Sequence, residues 1–359
     1  MEKLLKKPPI LEGYVYSYDE AVKSRDKGEI LTIRLETSRV CNLKCKYCCN
    51  KSGQKLPDEI SYNKIKELVI EAKKLGVKSI IVIGGGEPTI YPQFKELISF
   101  IHENDIIPVI FTNTQTMTLD LATFLYKNNV SVIIKLDSLD EKIQDEMVGV
   151  PGAYKNIQTG LKNLFAVGYA KNRNEGKQKL GASFVVNKEN YNDVLNIWRF
   201  CRENYIFPNL EMMIPNGNAK NIKEELISSE QWGALKESLL AIDEQEFGYT
   251  WFPYTPLIGA SCFQVMYNLY ITVQGDVRPC SSIHCSSYNI KDYTLKEIIK
   301  LPFFERARNI EKNLTGKCKD CDKHNECIGC RGLAFACNKG LMPEIECLCA
   351  EDPSCAYKR

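Results

Sequence analysis

Three cysteines near the start of the chain are spaced as ligands of an iron-sulfur cluster. Cys41, Cys45 and Cys48 are separated by three and by two residues. Thiolates at this spacing can hold one face of a four-iron cluster, whose fourth iron receives no protein ligand from the same stretch. The open iron can bind another molecule, so the loop predicts a cluster with a chemical role.

A strand is predicted directly before this loop, because residues 31–35 alternate between apolar and polar side chains. The cluster then lies at the carboxyl end of a strand, where parallel α/β sheets place their ligand sites. The elements that follow the loop must supply the rest of the site from the same end of the sheet.

Six strand-and-helix units are predicted in series. The strands are 31–35, 79–83, 108–111, 130–136, 182–186 and 210–214, and the helices are 61–75, 93–102, 119–126, 141–147 with 154–165, 191–201 and 229–240. Such units form a parallel sheet with helices outside, and right-handed crossovers place every carboxyl end on one face. The predicted fold is α/β, a partial (β/α)6 barrel of parallel strands followed by a cysteine-rich C-terminal iron-sulfur domain.

Small and polar residues follow the predicted strands at that face. They are Gly84 to Pro88, Thr112, Asn113, Asp137, Ser138, Asn187 and the stretch from Met212 to Asn216. Each has an ordinary structural alternative, because glycine runs form turns and Asp or Ser caps helices. Their convergence predicts an active site, in which Asp137, Glu211 and Asp276 are general-base candidates by position.

Composition limits the compartment and the partners. The net charge of +2 gives no electrostatic case for nucleic acid, and we find neither an apolar run of membrane-spanning length nor a signal peptide. A cytoplasmic location is therefore expected. Fourteen of the sixteen cysteines fall within 41–49 and 280–355, and clustered thiols in a reducing compartment favour metal over disulfides.

The cysteine loop, with Tyr47 before its last cysteine and Gly84 to Pro88 after the next strand, resembles the radical S-adenosylmethionine (SAM) superfamily. The resemblance implies that the open iron binds SAM and that one electron cleaves SAM to a 5′-deoxyadenosyl radical. It implies SAM contacts from Gly84, Gly85, Gly86, Glu87, Pro88, Thr112, Asn113, Asp137, Ser138, Met212 and Ile214. The alternative is a zinc site with Cys49 as fourth ligand, although the Cys49 side chain must diverge from that of Cys48.

The last third of the chain resembles the SPASM extension of that superfamily. The matching residues are Cys262, Gly275, Cys280, Cys318, Cys321, Cys327, Cys330-Arg331-Gly332 and Asp352-Pro353-Ser354-Cys355. The resemblance implies two auxiliary four-iron clusters. One set of ligands is Cys318, Cys321, Cys327 and Cys355, and the other is Cys262, Cys280 and Cys330, with Cys285 as first choice for the fourth position.

Some features of the tail depart from this pattern. The gap between Cys327 and Cys330 is one residue shorter than usual, and Cys337, Cys347 and Cys349 receive no role. A pair of zinc knuckles is the structural alternative. The predicted domains are a leader (1–30), a radical SAM partial barrel (31–243) and a SPASM domain with auxiliary clusters (244–359), the last beginning where the sequence becomes rich in aromatic residues and proline.

The expected activity is oxidative radical chemistry, in which the radical abstracts hydrogen and an auxiliary cluster accepts the remaining electron. The leading prediction is a maturase that oxidises or cross-links a peptide or protein side chain with SAM and three 4Fe-4S clusters. A flavodoxin or ferredoxin would supply electrons. A 30-residue leader is too short for a peptide-recognition domain, which favours a small-molecule substrate unless a separate peptide-recognition protein takes part. The alternatives are dehydrogenation or C–C bond formation on a small molecule (aminosugar, tetrapyrrole or lipid) and a non-enzymatic iron-sulfur carrier.

Overall fold

The computed structural model describes residues 5–171, 176–256, 261–285 and 288–357. Its strands are β1 (Ile10–Leu11), β2 (Thr32–Leu35), β3 (Ser79–Val82), β4 (Ile107–Thr112), β5 (Ser131–Lys135), β6 (Lys177–Gln178), β7 (Leu180–Val186), β8 (Phe207–Met212), β9 (Asn268–Ile271) and β10 (Val277–Arg278). Its α-helices are α1 (Tyr18–Asp26), α2 (Tyr62–Lys74), α3 (Phe94–Glu103), α4 (Leu119–Lys127), α5 (Glu141–Val148), α6 (Ala153–Val167), α7 (Val194–Glu203), α8 (Ser229–Ile242), α9 (Gln264–Tyr267), α10 (Leu295–Ile298), α11 (Pro302–Arg308), α12 (Gly316–Lys319), α13 (Arg331–Asn338) and α14 (Glu344–Cys349). None of the helices in these ranges has the length and apolar character needed to cross a membrane.

Eight strands form one sheet in the order β10-β9-β2-β3-β4-β5-β7-β8. The six predicted strands are parallel neighbours in chain order, with helices between them, which confirms the α/β class. The sixth strand begins at Phe207 rather than at residue 210. Prolines are rare in strands, so Pro208 led the sequence pattern to place the start of this strand too late. The sheet accepts this proline because β8 is an edge strand.

The C-terminal part of the chain extends the same sheet. β9 pairs in parallel with β2, and β10 pairs antiparallel with β9. Thr32 Oγ1 donates to Asn268 Oδ1 at 2.8 Å across 236 positions of sequence. The predicted C-terminal domain is therefore built onto the edge of the parallel sheet, a pairing that the sequence had not predicted.

The two faces of the sheet bury different side chains, because successive residues of a strand point to opposite sides. Ile80 packs in the large cluster under the helices. Its neighbour Ile81 packs on the inner face with Phe207 and with Leu11 and Tyr14 of the N-terminal segment. The N-terminal segment thus fills part of the interior of the curved sheet.

A buried ion pair holds the junction after α8. The carboxylate of Asp243 is fully buried and accepts hydrogen bonds from Arg202 Nε and Nη2 at 2.9 and 2.6 Å. It also accepts from the indole N–H groups of Trp198 and Trp251 at 2.9 and 2.8 Å. Donors from α7 and from the aromatic stretch therefore meet on one carboxylate.

Asp243→Ala is expected to destabilise the protein by about 3–5 kcal/mol, because the charge of Arg202 would stay buried without its partner. Urea unfolding followed by circular dichroism measures this loss. Glu246→Ala is the matched control, because Glu246 pairs at 2.8 Å with Arg199, which lies on α7 as Arg202 does. The side chains of Glu246 and Arg199 are 40% and 37% exposed. Equal destabilisation by the two substitutions would contradict the role given to Asp243.

Candidate active site

A cavity of about 290 Å³ lies at the carboxyl ends of the parallel strands. Its wall contains most of the residues predicted for the SAM-binding site, namely Cys41, Cys45, Cys48, Gly84, Gly85, Gly86, Glu87, Thr112, Asn113, Met212 and Ile214. Ser281, Ser282 and His284 of the C-terminal part also line it. The cavity therefore joins the cysteine loop, the glycine turn and the region after β10.

Hydrogen bonds from distant segments hold the cysteine loop. Lys44 N–H donates to Val148 O at 3.0 Å, and Asn218 N–H donates to Cys48 O at 2.8 Å. The Asn218 side chain adds a bond from Nδ2 to Cys45 O at 3.2 Å. Because these partners follow β5 and β8, the conformation of the loop depends on the assembled sheet.

Two glycines permit other segments to approach this loop closely. A Cβ on Gly86 would lie 1.8 Å from Val40 O, and a Cβ on Gly217 would lie 2.4 Å from both Cys48 O and Cys49 O. Real Cβ atoms essentially never approach a heavy atom within 3.0 Å. Neither position accepts a larger residue unless the loop moves.

The three thiols of the loop are half-buried. A backbone N–H donates to Cys48 Sγ at 3.4 Å, and Asn113 Nδ2 donates to Cys41 Sγ at 4.0 Å. Burial raises the pKa of Cys45 to about 12, and the nearby carboxylate of Asp137 acts in the same direction. A positive charge is needed to stabilise the thiolates, and iron ions supply one.

This donor set fits a four-iron cluster. Three half-buried thiols share one cavity wall with backbone and amide groups that can approach their sulfur atoms. Within the described ranges, no three His, Cys, Asp or Glu side chains are close enough to share a single ion. A four-iron cluster makes no such demand, because each cysteine binds a different iron.

Glu87 positions the end of β4. Its carboxylate is buried and accepts hydrogen bonds from Thr89 Oγ1 at 2.6 Å, from Thr112 Oγ1 at 2.7 Å and from Asn113 N–H at 2.7 Å. Burial raises the pKa of Glu87, whereas these hydrogen bonds act in the opposite direction. Glu87 thereby ties the glycine turn to the cavity-lining residues after β4.

Asp137 and Ser138 do not line the cavity, and both side chains are fully buried. Asp137 pairs with Lys135 Nζ at 2.9 Å and accepts the hydroxyl of Tyr47 at 2.5 Å. Ser138 Oγ donates to Asp193 Oδ2 at 2.6 Å. Asp137 thus contacts the cysteine loop through Tyr47.

Several residues of the cavity had not been predicted. Lys135 ends β5 and lies 5.0 Å from the centre of the Tyr47 ring, and its position at a strand end was a usable signal. No local sequence pattern indicates that Ser281, Ser282 and His284 line the cavity. They reach it because β9 pairs with β2. Conversely, the predicted Pro88 is buried beside the glycine turn and does not line the cavity.

Glu211 is the general-base candidate that reaches the cavity. Asn209 Nδ2 donates to Glu211 Oε1 at 2.6 Å and so orients the carboxylate. Asp276 instead accepts from Asn289 Nδ2 at 3.0 Å near the β9–β10 hairpin and does not line the cavity. Of the three carboxylates, Glu211 lines the cavity, and Asp137 and Asp276 do not.

Cys262, Cys280 and Cys330 interact electrostatically, and Cys262 packs against the inner-face cluster of the sheet. Burial raises the pKa of Cys262 to about 11, and Cys280 acts in the same direction. Cys330 Sγ accepts Leu333 N–H at 3.4 Å at the start of α13. Burial raises the pKa of Cys330, as do Asp352, Cys280 and Cys262. The set of Cys262, Cys280 and Cys330 stays a prediction, and these electrostatic interactions are consistent with it.

Cys285 was the first choice for the fourth ligand of this cluster. Burial raises its pKa to about 12, and Glu344 acts in the same direction, whereas Arg278 and Lys339 act in the opposite direction. Cys285 and Cys280 both pack against the large hydrophobic core. Cys285 stays a prediction as the fourth ligand.

The other predicted ligand set lies on the loops around α12 and at the end of the chain: Cys318, Cys321, Cys327 and Cys355. Burial raises the pKa of Cys327 to about 12, and Asp352, Cys355 and Cys318 act in the same direction. Arg331 Nη2 donates to Cys318 Sγ at 3.6 Å. Cys321 is half-buried, and its N–H donates to Cys318 O at 3.4 Å.

The remaining tail thiols occupy other positions. Cys337 is exposed on α13, whereas Cys347 and Cys349 are buried in α14. Cys349 Sγ donates to Ile345 O at 3.2 Å, within the same helix. Cys49 is exposed and lines the cavity beside Cys48.

Two family models match the chain. The model of the radical SAM superfamily matches residues 35–206, and a model described as an iron-sulfur cluster-binding domain, SPASM, matches residues 262–322. The first match contains the cysteine loop, the glycine turn and β3 to β7. The second begins at Cys262 and contains β9, β10 and the first cysteines of the tail.

Proteins of known activity and structure are similar over most of the chain. The AdoMet-dependent heme synthase of Nitratidesulfovibrio vulgaris is 24% identical, covering 91% of this chain and 92% of the relative. The mycofactocin maturase MftC of Mycobacterium ulcerans is 27% identical, covering 87% and 86%. The crystal structure of Streptococcus suis SuiB bound to its precursor peptide SuiA has the same fold, with a TM-score of 0.69 at 20% identity over 94% of this chain and 80% of that chain. The chain belongs to the radical SAM superfamily and is a radical SAM enzyme with a C-terminal SPASM domain.

Proposed function

We propose that this enzyme oxidises or cross-links a side chain of a peptide or protein. The observation that carries the proposal is the single cavity shared by the three cysteines of the loop, the glycine turn and the residues from Ser281 to His284. A substrate in this cavity meets the SAM-binding loop on one side and the C-terminal domain on the other. The likeness to a mycofactocin maturase over most of both chains supports a peptide as substrate.

Three clusters are part of this proposal. Cys41, Cys45 and Cys48 would hold the SAM-binding cluster, and the two cysteine groups of the tail would hold two auxiliary 4Fe-4S clusters. When bound, the clusters and SAM supply a 5′-deoxyadenosyl radical and an acceptor for the electron that remains after hydrogen abstraction. An external flavodoxin or ferredoxin would provide the reducing electron.

The SAM pocket is proposed from the residues of the cavity wall. The backbone of Gly84 to Gly86 is open to the amino group of SAM, because glycine permits close approach. Thr112 and Asn113 would face its carboxylate and ribose, and Met212 and Ile214 its adenine. All of them line the cavity, unlike Asp137 and Ser138.

Other residues of the wall orient the substrate and limit water. The apolar part of the wall consists of Ile83, Phe111, Ile133 and Val185. Glu211 is placed to accept the proton released when a substrate carbon is oxidised, and Asn209 holds its carboxylate. The charge of Lys135 is balanced by Asp137 at 2.9 Å, so this side chain adds little net charge to the cavity.

A tetrapyrrole is the second candidate substrate. The heme synthase of Nitratidesulfovibrio vulgaris aligns with 91% of this chain, a slightly larger share than the maturase. This likeness favours radical oxidation of a macrocycle held in the same cavity. The two candidates differ in the molecule that meets the radical and share the SAM chemistry.

A direct comparison of the two substrate classes tests the proposal. Reconstituted enzyme with SAM and dithionite is incubated with a proteome-derived peptide library or with iron-coproporphyrin III, the tetrapyrrole named for one relative. The peptide library is expected to increase the yield of 5′-deoxyadenosine and to give peptides that have lost two hydrogen atoms, detected by mass spectrometry. Stimulation and conversion of the tetrapyrrole alone would contradict the peptide proposal and support the second candidate.

A further inference from the structure

Arg34 is a buried cation on the inner face of the sheet. The residue lies within β2, is 5% exposed, and places its guanidinium carbon 5.1 Å from the centre of the Tyr14 ring. Its Nε and Nη2 have no hydrogen-bond partner among the described residues. Buried polar groups are usually paired, because an unsatisfied donor costs free energy. The free donors of Arg34 therefore require an explanation.

The register of the sheet places Arg34 and Arg278 on the same face. Arg34 lies opposite Tyr270 of β9, and Tyr270 lies opposite Arg278 of β10. Paired residues share a face of the sheet, and Cys280 follows two positions after Arg278, beyond the end of β10. A hydrogen bond of 3.1 Å from β9 to the Pro279 carbonyl keeps the segment of Cys280 against this edge.

Cys262 approaches Arg34 from the interior. Cys262 packs against the inner-face cluster that contains Tyr14, and the Tyr14 ring lies under the guanidinium group. Burial raises the pKa of Cys262, whereas Arg34 lowers it. Burial lowers the pKa of Arg34, whereas Tyr14 and Cys280 raise it. Both thiols therefore lie within the electrostatic reach of the guanidinium group.

An ion pair does not account for this charge. Among the described residues, no carboxylate lies within salt-bridge distance of Arg34. The buried Arg202 shows the contrast, since Asp243 accepts two of its hydrogen bonds. The groups that act on the Arg34 guanidinium most strongly are the phenol of Tyr14 and, after it, the thiol of Cys280, neither of which is a carboxylate.

We propose that Arg34 donates its free N–H groups to the auxiliary cluster held by Cys262, Cys280 and Cys330 and thereby raises the reduction potential of that cluster. This inference rests on the proposed function, which assigns the cluster. A thiolate-ligated cluster gains negative charge on reduction, so a fixed buried cation stabilises the reduced form more than the oxidised form. Since Arg34 belongs to the barrel, the barrel sets the potential of a cluster whose ligands come from the C-terminal domain.

A redox titration of the full chain tests this role. Cys41, Cys45 and Cys48 are replaced by alanine to remove the signal of the SAM-binding cluster, and the reconstituted protein is followed by electron paramagnetic resonance. Arg34→Met is expected to lower one auxiliary midpoint potential by at least about 59 mV, which is a tenfold change for a one-electron couple. Arg34→Lys, which keeps the charge and loses the planar donors, is expected to lower it less.

Arg308→Met is the matched control. Arg308 is 7% exposed and has an unpaired Nη1, but its pKa is lowered by burial and by Arg25, and no cysteine is among the groups that act on it. Both potentials should stay unchanged in this variant. Iron should remain at ~8 atoms per chain throughout the series, as two four-iron clusters require.

The iron content separates the outcomes. Unchanged potentials in Arg34→Met at full iron content would overturn the role of Arg34 alone. If Arg34→Met loses iron, the test uses Arg34→Lys instead. A lowered auxiliary midpoint potential in Arg34→Lys would support the proposal, and an unchanged potential would overturn it. Absence of iron from the parent protein with the three alanines would overturn the auxiliary clusters themselves, and the role of Arg34 with them.

Discussion

Cys45→Ala is expected to reduce the formation of 5′-deoxyadenosine to the level of a protein-free mixture. The substitution removes one of three thiols on the cavity wall, and the SAM-binding cluster then loses a ligand that the loop must supply. Chromatography of the reaction with SAM and dithionite measures the product. Iron content should fall from ~12 to ~8 atoms per chain, because the two auxiliary clusters stay in place.

Two further cysteine variants define the specificity of this effect. Cys321→Ala should keep part of the SAM cleavage, because its proposed cluster is an auxiliary one. Cys337→Ala should behave as the wild type, since Cys337 is an exposed thiol on α13 without an assigned role. Equal cleavage by Cys45→Ala and by the wild type would refute the assignment of the cysteine loop.

Gly86→Ala is expected to lower SAM cleavage at least about 100-fold, the scale of loss that a displacement of 1 Å at an active site can cause. The added Cβ would lie 1.8 Å from Val40 O, directly before Cys41, so the cysteine loop must move away from the glycine turn. The same displacement should lower the iron content of the SAM-binding cluster. Initial rates of 5′-deoxyadenosine formation and iron analysis of the same preparation measure both effects.

Gly233→Ala provides the control for this substitution. Gly233 lies in α8, where, among the residues that the structure describes, an added Cβ would meet only Ala356 at 3.5 Å, which is ordinary contact. Alanine also favours a helix more than glycine does, so stability should be equal or higher. If Gly86→Ala keeps wild-type cleavage and iron content, close packing of the glycine turn does not hold the cluster loop.

The arrangement of the central sheet was largely predictable. The structure places β3 at Ser79–Val82 and α2 at Tyr62–Lys74, close to the bounds predicted from alternation and from helical periodicity. Such patterns depend on residues that are neighbours in sequence. The convergence of the cysteine loop and the glycine turn also followed, because parallel strands end on one face of the sheet.

The direction of individual side chains was less predictable. Asp137 and Asn113 both follow a strand, yet only Asn113 lines the cavity. Asp137 points to Lys135 and accepts the hydroxyl of Tyr47, which lies 90 positions earlier in the chain. No local pattern distinguishes the two cases, since the difference arises from packing against a remote loop.

The sequence by itself determined the cysteine loop, the glycine turn and the parallel order of the barrel strands. Each depends on nearby residues or on the common handedness of crossovers. Only the tertiary structure decided that β9 joins β2, that Asp137 accepts the hydroxyl of Tyr47, and that the buried Arg34 packs against Tyr14. The contact of Thr32 with Asn268 spans 236 positions, and contacts that close such long loops are selected by the packing of the whole domain. Local sequence patterns do not encode that choice.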